Sequence, residues 1–282
     1  MGDGRDCCAG WQARVEENDK GRQQNIVVGD PEHAQVIFTA HYDTPANVLL
    51  PDLQIPRNFP VYLLYQTAII GGMLLLSLIA GAALGLATQS GDVMILAFFG
   101  AFLALMLVQI YGPANRNNVN DNTSGVAVLL DMMQRIPEED RAKAAFLLFD
   151  NMEKGRRGSK AYARDHLQVQ HTAYVVNLDS VGVGDTLIVS VPSLAAKMPQ
   201  HALLEKALLA HPERDVRFFS SLTTRGNSDF RSFKCGVGIT ACRRVSGVGF
   251  YLGNLHTSRD TQADQGNIDC LAQALSELTE QL

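Results

Sequence analysis

Asn120-Asp121-Asn122-Thr123-Ser124-Gly125 runs directly into Val126-Ala127-Val128-Leu129-Leu130-Asp131-Met132-Met133. A polar, glycine-containing turn here opens an amphipathic helix. A carboxylate at a helix start faces unpaired backbone N–H groups and the positive end of the helix dipole. Held rigid in that way, Asp121 can direct its two oxygens at two different cations. The alternative is an ordinary helix cap, a role that Asp, Asn, Ser and Thr all favour, and for the hexapeptide alone it is the stronger reading. The balance changes because His41, Glu153, Asp179 and His256 each occupy a short segment of the same character. Together with Asp121 they read as a two-metal site.

Working outward, Gln35 to Ala40 is an apolar run of strand length that ends in His41-Tyr42-Asp43-Thr44-Pro45. A residue at the carboxyl end of a buried strand stands at the site mouth of an open α/β sheet. Asp43, two residues on, shares a face with His41 if the strand continues. It is then placed to accept the second imidazole N–H and fix the tautomer, as a metal-bound histidine requires. For this pair alone, a core histidine and a ligand both stay open. Ala144 to Phe149 is a second buried strand, ending in Asp150-Asn151-Met152-Glu153-Lys154-Gly155, and Gly158-Ser159 starts a helix. Thr172 to Asn177 is a third, ending at Leu178-Asp179.

Arg14 to Asp30 reads as a strand hairpin turning near Asn18 to Gly21. Asp185 to Val191, Val216 to Phe219 and Gly238 to Cys242 read as strands. Leu194 to His211 and Ile268 to Leu282 read as helices, and Asn227-Ser228-Asp229 opens a short one. Strands alternating with helices, with a ligand-type residue at several strand ends, predict an α/β fold with a mixed, mostly parallel sheet covered on both faces.

Val61 to Tyr111 departs from this pattern, carrying Asp92 as its one charge. Val61 to Ala87 and Val93 to Tyr111 are apolar runs, each able to cross ~30 Å of hydrocarbon as a helix. A buried hairpin in a soluble core is the alternative, disfavoured by the lengths and by the lack of polar faces. Gly81-Ala82-Ala83-Leu84-Gly85 is a small-xxx-small step that lets two helices approach closely. Arg57 precedes the first span and Arg116 follows the second, whereas the connecting loop has no Lys or Arg. The positive-inside rule then places both flanks, and the α/β domain with them, in the cytoplasm, and Gly91 outside. The expected organisation is one domain made of residues 1–46 and 112–282, with residues 47–111 a transmembrane hairpin inserted in a loop, its spans at about 61–87 and 93–111.

The 282 residues suffice for one full α/β core plus an insertion, and the net charge of -5 gives no electrostatic case for nucleic acid. Cysteine is present in an odd count of five; Cys7 and Cys8 are adjacent, and Cys235, Cys242 and Cys270 form no C-x-x-C pair. Neither a disulfide framework nor cysteine-ligated zinc is expected, and a reducing compartment fits better. Met1 to Lys20 has no apolar core of the kind a signal peptide needs.

Two histidines and three carboxylates suit zinc or another borderline divalent ion. The order His41-x-Asp43, Asp121-Asn122-Thr123-Ser124-Gly125, Glu153-x-Gly155-x-x-Gly158-Ser159, Asn177-Leu178-Asp179 and His256-Thr257-x-x-Asp260-Thr261 resembles the M28 family of zinc aminopeptidases. The resemblance extends from about Arg14 to the C-terminus, apart from the apolar insert. The related M20 group shares the His-x-Asp start but carries an inserted lid domain, for which there is no room after Glu153.

The resemblance implies a twisted mixed sheet between helical layers and two zinc ions, with Asp121 bridging them. His41 and Asp179 would hold one ion, Glu153 and His256 the other, and Asp43 would orient His41. The Asp121–Asn122 bond would be strained or cis. It also implies hydrolysis of N-terminal peptide bonds in a peptide or aminoacyl substrate, with membrane lipid contacted through residues 61–111.

One residue departs from the family's pattern. The general base of the family, a Glu immediately before the ligand Glu, falls on Met152, which has no proton to exchange. Retirement of catalysis, an engineered change and a base supplied from elsewhere, with Asp150 the nearest candidate, all stay open. So do two function classes: a membrane-anchored metallohydrolase, and an inactive relative serving as a binding or assembly module. Phe218, Phe219, Phe230 and Tyr251 are candidates for an apolar pocket, although core packing is the commoner role of such residues.

Overall fold

The structure, a computed structural model, describes residues 10–48, 53–224 and 226–282. Cys7, Cys8 and the rest of the first nine residues of the stretch Met1 to Lys20 read for a leader, like residues 49–52 of the insert, lie outside these. Among the described residues nine strands form: β1 (Ala13–Asn18), β2 (Gln23–Val28), β3 (Val36–His41), β4 (Ala144–Phe149), β5 (Tyr174–Leu178), β6 (Thr186–Val191), β7 (Asp215–Ser220), β8 (Cys235–Val245) and β9 (Gly249–Tyr251). They form one mixed sheet in the order β1-β2-β4-β3-β5-β8-β6-β7, with β9 paired to β8. The centre, β4-β3-β5-β8, is parallel. Antiparallel pairings join β1, β2 and β4 on one side and β8 to β6 on the other. The expected mixed sheet is what forms, with its parallel pairings in the centre and between β6 and β7.

The central strands explain their own composition. Every residue of β3, β4 and β5 is buried, because helices cover both faces and leave no side for polar residues. Alternation sorts the side chains between the layers. Phe38, Phe146 and Val176 pack with Leu129 of α3 (Ser124–Arg135) and Leu271 of α7 (Gln265–Glu280). Ile37, Leu147 and Val175 pack on the opposite face, with Tyr162 of α4 (Arg157–Asp165) and Val169 of α5 (Leu167–Thr172). The helix α6 (Pro199–Leu209) joins the first layer through Leu204 and Leu208. The described cysteines, Cys235, Cys242 and Cys270, are free and buried.

Two helices stand apart from this core, α1 (Phe59–Thr88) and α2 (Gly91–Ile110). They form an antiparallel hairpin, turned at Gln89-Ser90. The buried residues of α1 are Met73, Ser77, Gly81 and Gly85, a single seam with a spacing of four. A methyl group on Gly81 would stand 2.8 Å from the backbone oxygen of Met94, and one on Gly85 would stand 2.6 Å from its Cβ. Glycine at these two places is what lets the backbones meet. The outward faces are apolar and uncovered; Leu96, for example, is 75% exposed. Mean hydropathy reaches 2.3 in α1 and 2.6 in α2, and both are long and apolar enough to cross a membrane. The roots of the hairpin lie side by side, since Ala46 pairs with Ala114 and the Asn47 N–H donates to the Pro113 carbonyl at 2.8 Å.

Candidate metal centre

His41 is the last residue of β3, Asp179 follows β5, and Glu153 lies in the loop after β4, so three of the candidates stand at the carboxyl ends of parallel strands. Asp121 enters from the turn before α3, and His256 from the loop after β9. The five side chains converge. His41 Nε2 is 3.2 Å from Asp121 Oδ1 and 3.9 Å from Asp179 Oδ1. His256 Nε2 is 3.1 Å from Asp121 Oδ2 and 3.4 Å from Glu153 Oε2. Asp121 therefore offers one oxygen to each half of the centre. Ligand-type atoms of His41, Asp121 and Asp179 lie within 4.8 Å of one another, as do those of Asp121, Glu153 and His256.

A second set of contacts holds these side chains in place. Asp121 does not cap the following helix. That task falls to Asn122, whose Oδ1 accepts from the Gly125 and Ser180 N–H groups, while its amide donates to the Leu178 carbonyl. The N–H groups of Asn120 and Asp121 donate to Asp260 Oδ1 and Oδ2 at 2.8 and 2.9 Å. The Asp121–Asn122 peptide is cis. Asp43 lies 3.3 Å from His41 Nδ1 and also accepts from the Met152 and Glu153 N–H groups, at 2.9 and 3.1 Å. One carboxylate thus ties β3 to the loop that carries Glu153. Gly155, at φ +87, lets that loop turn back into α4.

The electrostatics follow from crowding several acids in a buried place. Burial, aided by the charge of Asp121, pushes Glu153 up to about 8. Burial also works against ionisation of Asp121, but His256 and His41 outweigh it and hold its carboxyl well below the usual range. For His41, burial opposes the charge, and Asp121, Asp179 and Asp43 overcome it to raise its pKa well above the ordinary value. Two buried atoms of the cluster, His41 Nε2 and Glu153 Oε1, have no hydrogen-bond partner. Unpartnered buried donors and acceptors aimed at a shared space are what a metal-ligand set presents.

Asp121, Glu153, Asp179 and His256 line a cavity of about 260 Å³. Met152 lines it, whereas Asp150 does not. The Asp150 carboxylate accepts from the Gln24 N–H on β2, at 3.2 Å, and so faces away from the pocket. Phe230 lines the cavity, while Phe218 packs against the core and Phe219 packs with Phe250. Gln54 and Pro56, from the segment leading into α1, form part of the wall. Nothing in their immediate sequence marks them for that place; the Gln54–Leu252 backbone pairing puts them there.

Peptidase family M28 matches residues 108–279, well over half of the chain. The chain belongs to that family. No curated protein sequence matches it. Among solved structures, the glutaminyl cyclase of Porphyromonas gingivalis is similar at a TM-score of 0.55, with 16% identity over 99% of this chain and 89% of that one. BSAP, a zinc aminopeptidase from Bacillus subtilis, is similar at 0.52, with 16% identity over 92% of this chain and 49% of its own. The LapA aminopeptidase of Legionella pneumophila is similar at 0.54, with 12% identity over 98% and 59%. This M28 chain spans only about half the length of those two aminopeptidases. At such identities the likeness is one of fold.

The M28 sequence pattern includes Asp260, yet its role became legible only with the fold. Asp260→Ala should strand two buried N–H groups beside Asp121 and cost roughly 1–3 kcal/mol of stability. Thermal unfolding should show a lowered Tm, whereas Asp260→Asn, which keeps one acceptor, should lose less.

Proposed function

We propose that this M28 chain is a membrane-anchored metallopeptidase of the aminopeptidase type with two divalent ions, most suitably zinc, and with residues 47–111 as a membrane-spanning insertion. The observation that carries the reading is the central place of Asp121, with one oxygen toward His41 and Asp179 and the other toward His256 and Glu153. The donor set, two imidazoles and three carboxylates, fits zinc. His41, Asp121 and Asp179 would hold one ion, and Asp121, Glu153 and His256 the other. Ions bound there supply Lewis acidity toward a scissile carbonyl and toward water. The chain's own residues do the rest. Asp43 fixes the His41 ring, and Gln54, Pro56 and Phe230 enclose the residue that enters. The fold neighbours include a cyclase as well as aminopeptidases, and an open-ended choice of N-terminal substrates is consistent with both.

Met152 favours a second reading, a non-catalytic relative acting as a binding or assembly module. Its thioether occupies the pocket wall where the family resemblance calls for a proton-transferring carboxylate, and Asp150 is turned toward β2. Proton delivery to the departing amine is then the missing function, and an amine leaves poorly unless protonated. Removing such a group typically costs ~10²–10⁴-fold in rate. Metal binding does not need it.

Zinc titration of the metal-free protein should reach two ions per chain. His41→Ala or His256→Ala should lower the content, and Asp121→Ala should disturb both sites. Glu153, at about 8 in the metal-free protein, must lose its proton to ligate. Below that value it is protonated and competes with the ion, so apparent affinity should rise with pH through about 8, with proton release visible by calorimetry. Elemental analysis finding no zinc would defeat the metal reading.

Met152→Glu should raise kcat on an aminoacyl-anilide by ~10²–10⁴-fold with little change in KM, the pattern of a restored transition-state interaction. Equal rates in the two zinc-loaded forms would mean that another group already serves as base. No rate in either would favour the non-catalytic reading.

The full chain should resist alkaline carbonate extraction from membranes and be released by detergent. Recovery in the soluble fraction without detergent would refute anchoring.

A further inference from the structure

The pocket and the hairpin meet at one short segment. Gln54 and Pro56 line the cavity, and α1 begins at Phe59. Three residues of extended chain span at most about 10 Å. This segment is fastened to the domain along its length. Gln54 and Leu252 exchange backbone hydrogen bonds at 3.2 and 2.8 Å. The Arg57 guanidinium stacks on the Phe219 ring, 3.8 Å from its centroid, and donates to Thr223 Oγ1. The Asn58 amide donates to the Val248 carbonyl at 3.0 Å. The start of α1 therefore cannot swing away from the pocket without breaking these contacts.

The surroundings have the chemistry of a membrane interface. Tyr62 and Tyr65 lie in the first two turns of α1, and Tyr111, 77% exposed, follows the end of α2. Aromatic residues at the ends of apolar spans mark the headgroup level. In the turn that Arg57 contacts, Leu222 is 93% exposed. The end of β8, beside the β8–β9 turn that Asn58 contacts, carries Arg243, Arg244 and an exposed Val245. An apolar tip beside basic side chains suits insertion into an anionic headgroup layer. Even if the layer lies as far along α1 as Tyr65, helical rise adds only about 9 Å to the extended link, for roughly 20 Å in all. At about 3.3 Å per residue, an extended peptide crosses that distance in about six residues.

We propose that the pocket works at the membrane surface and that its substrates are membrane-anchored polypeptides whose free amino terminus lies within about six to eight residues of the bilayer. This rests on the anchored-peptidase reading and gives it a substrate class. A peptidase domain of this size is roughly 45 Å across. A pocket on its far side would demand spacers of about thirteen extended residues or more, so spacer length discriminates between the two placements.

The test uses the full chain, zinc-loaded, in nanodiscs containing anionic lipid, with two readouts that do not need turnover. The first is depth. Brominated lipids should quench the indole introduced by Leu222→Trp and leave Trp11, the native Trp beside the opposite edge of the sheet, unquenched. The second is capture. Single-span peptides with a photoreactive amino-terminal residue are incorporated with spacers of about eight or about forty residues, beside the same peptide without its anchor. Crosslinks to pocket residues should form with the eight-residue spacer at least as efficiently as with the long one, and roughly tenfold more than with the free peptide. Crosslinking only through the long spacer, equal crosslinking of the free peptide, or no quenching of the introduced indole in the Leu222→Trp form would overturn the proposal. Hydrolysis of soluble peptides by the Met152→Glu form is read in parallel. Turnover there with no short-spacer capture would sink the membrane-surface proposal and leave the peptidase reading standing, and short-spacer capture without turnover would do the reverse.

Discussion

Four carboxylates, those of Asp43, Asp121, Glu153 and Asp179, are gathered around the imidazoles of His41 and His256 at the carboxyl end of one sheet. Like charges this close in a buried place cannot all ionise without compensation. The protein divides the load unequally. Asp121, between two imidazoles, keeps its charge, whereas burial and the charge of Asp121 leave Glu153 holding its proton to about 8. Divalent cations relieve the same repulsion more completely, because each neutralises two charges and satisfies several lone pairs together. A cluster so assembled is costly as structure alone, and its donor set suits a divalent cation.

The supporting contacts are arranged to hold this cluster against its own repulsion. Asp121 is fixed from behind by the grip of Asp260 on two backbone N–H groups, which leaves both of its carboxylate oxygens for the centre. Asn122 takes the cap of α3 and ties it to β5 through the Leu178 carbonyl. Asp43 plays a double part, facing His41 while bonding the backbone beneath Glu153. Asn122 thus joins α3 to the end of β5, and Asp43 joins the end of β3 to the loop after β4. The spacing of the ligand atoms is thereby inherited from the parallel centre of the sheet, the most thoroughly buried part of the molecule.

Much of this was readable beforehand, for physical reasons. Buried parallel strands are continuous apolar runs, and the residues that terminate them stand at the site by topology, so His41 and Asp179 declare themselves. The hairpin declares itself through its lack of charge. What could not be read depends on which loop packs on which. Taken alone, the hexapeptide reads as a cap at Asp121, and only the fold shows that Asn122 is the residue that accepts from the Gly125 N–H. Asp150 reads as a substitute base, and only its bond to the Gln24 N–H turns it away. Gln54 and Pro56 belong by sequence to the insert and by position to the pocket, because a backbone pairing across roughly two hundred residues is invisible to local pattern.

That last pairing alters what the hairpin is to the rest of the chain. The loop bearing His256 is held on one side by Val48, whose N–H donates to the His256 carbonyl at 2.9 Å, and by Gln54 at Leu252. On the other side it is held by Asn115 at Thr257 and by Asn117 at Ser258, all flanking the hairpin. His256 itself sits at φ +59, a conformation that costs a residue other than glycine of order 1–3 kcal/mol and persists only where its surroundings over-determine it. Both roots of the hairpin supply that over-determination. An insertion tolerated in a loop would leave the site indifferent to its presence. Here the strained backbone under one histidine is braced by the two chain segments that enter and leave α1 and α2, so the hairpin and the loop that carries His256 form one mechanical unit.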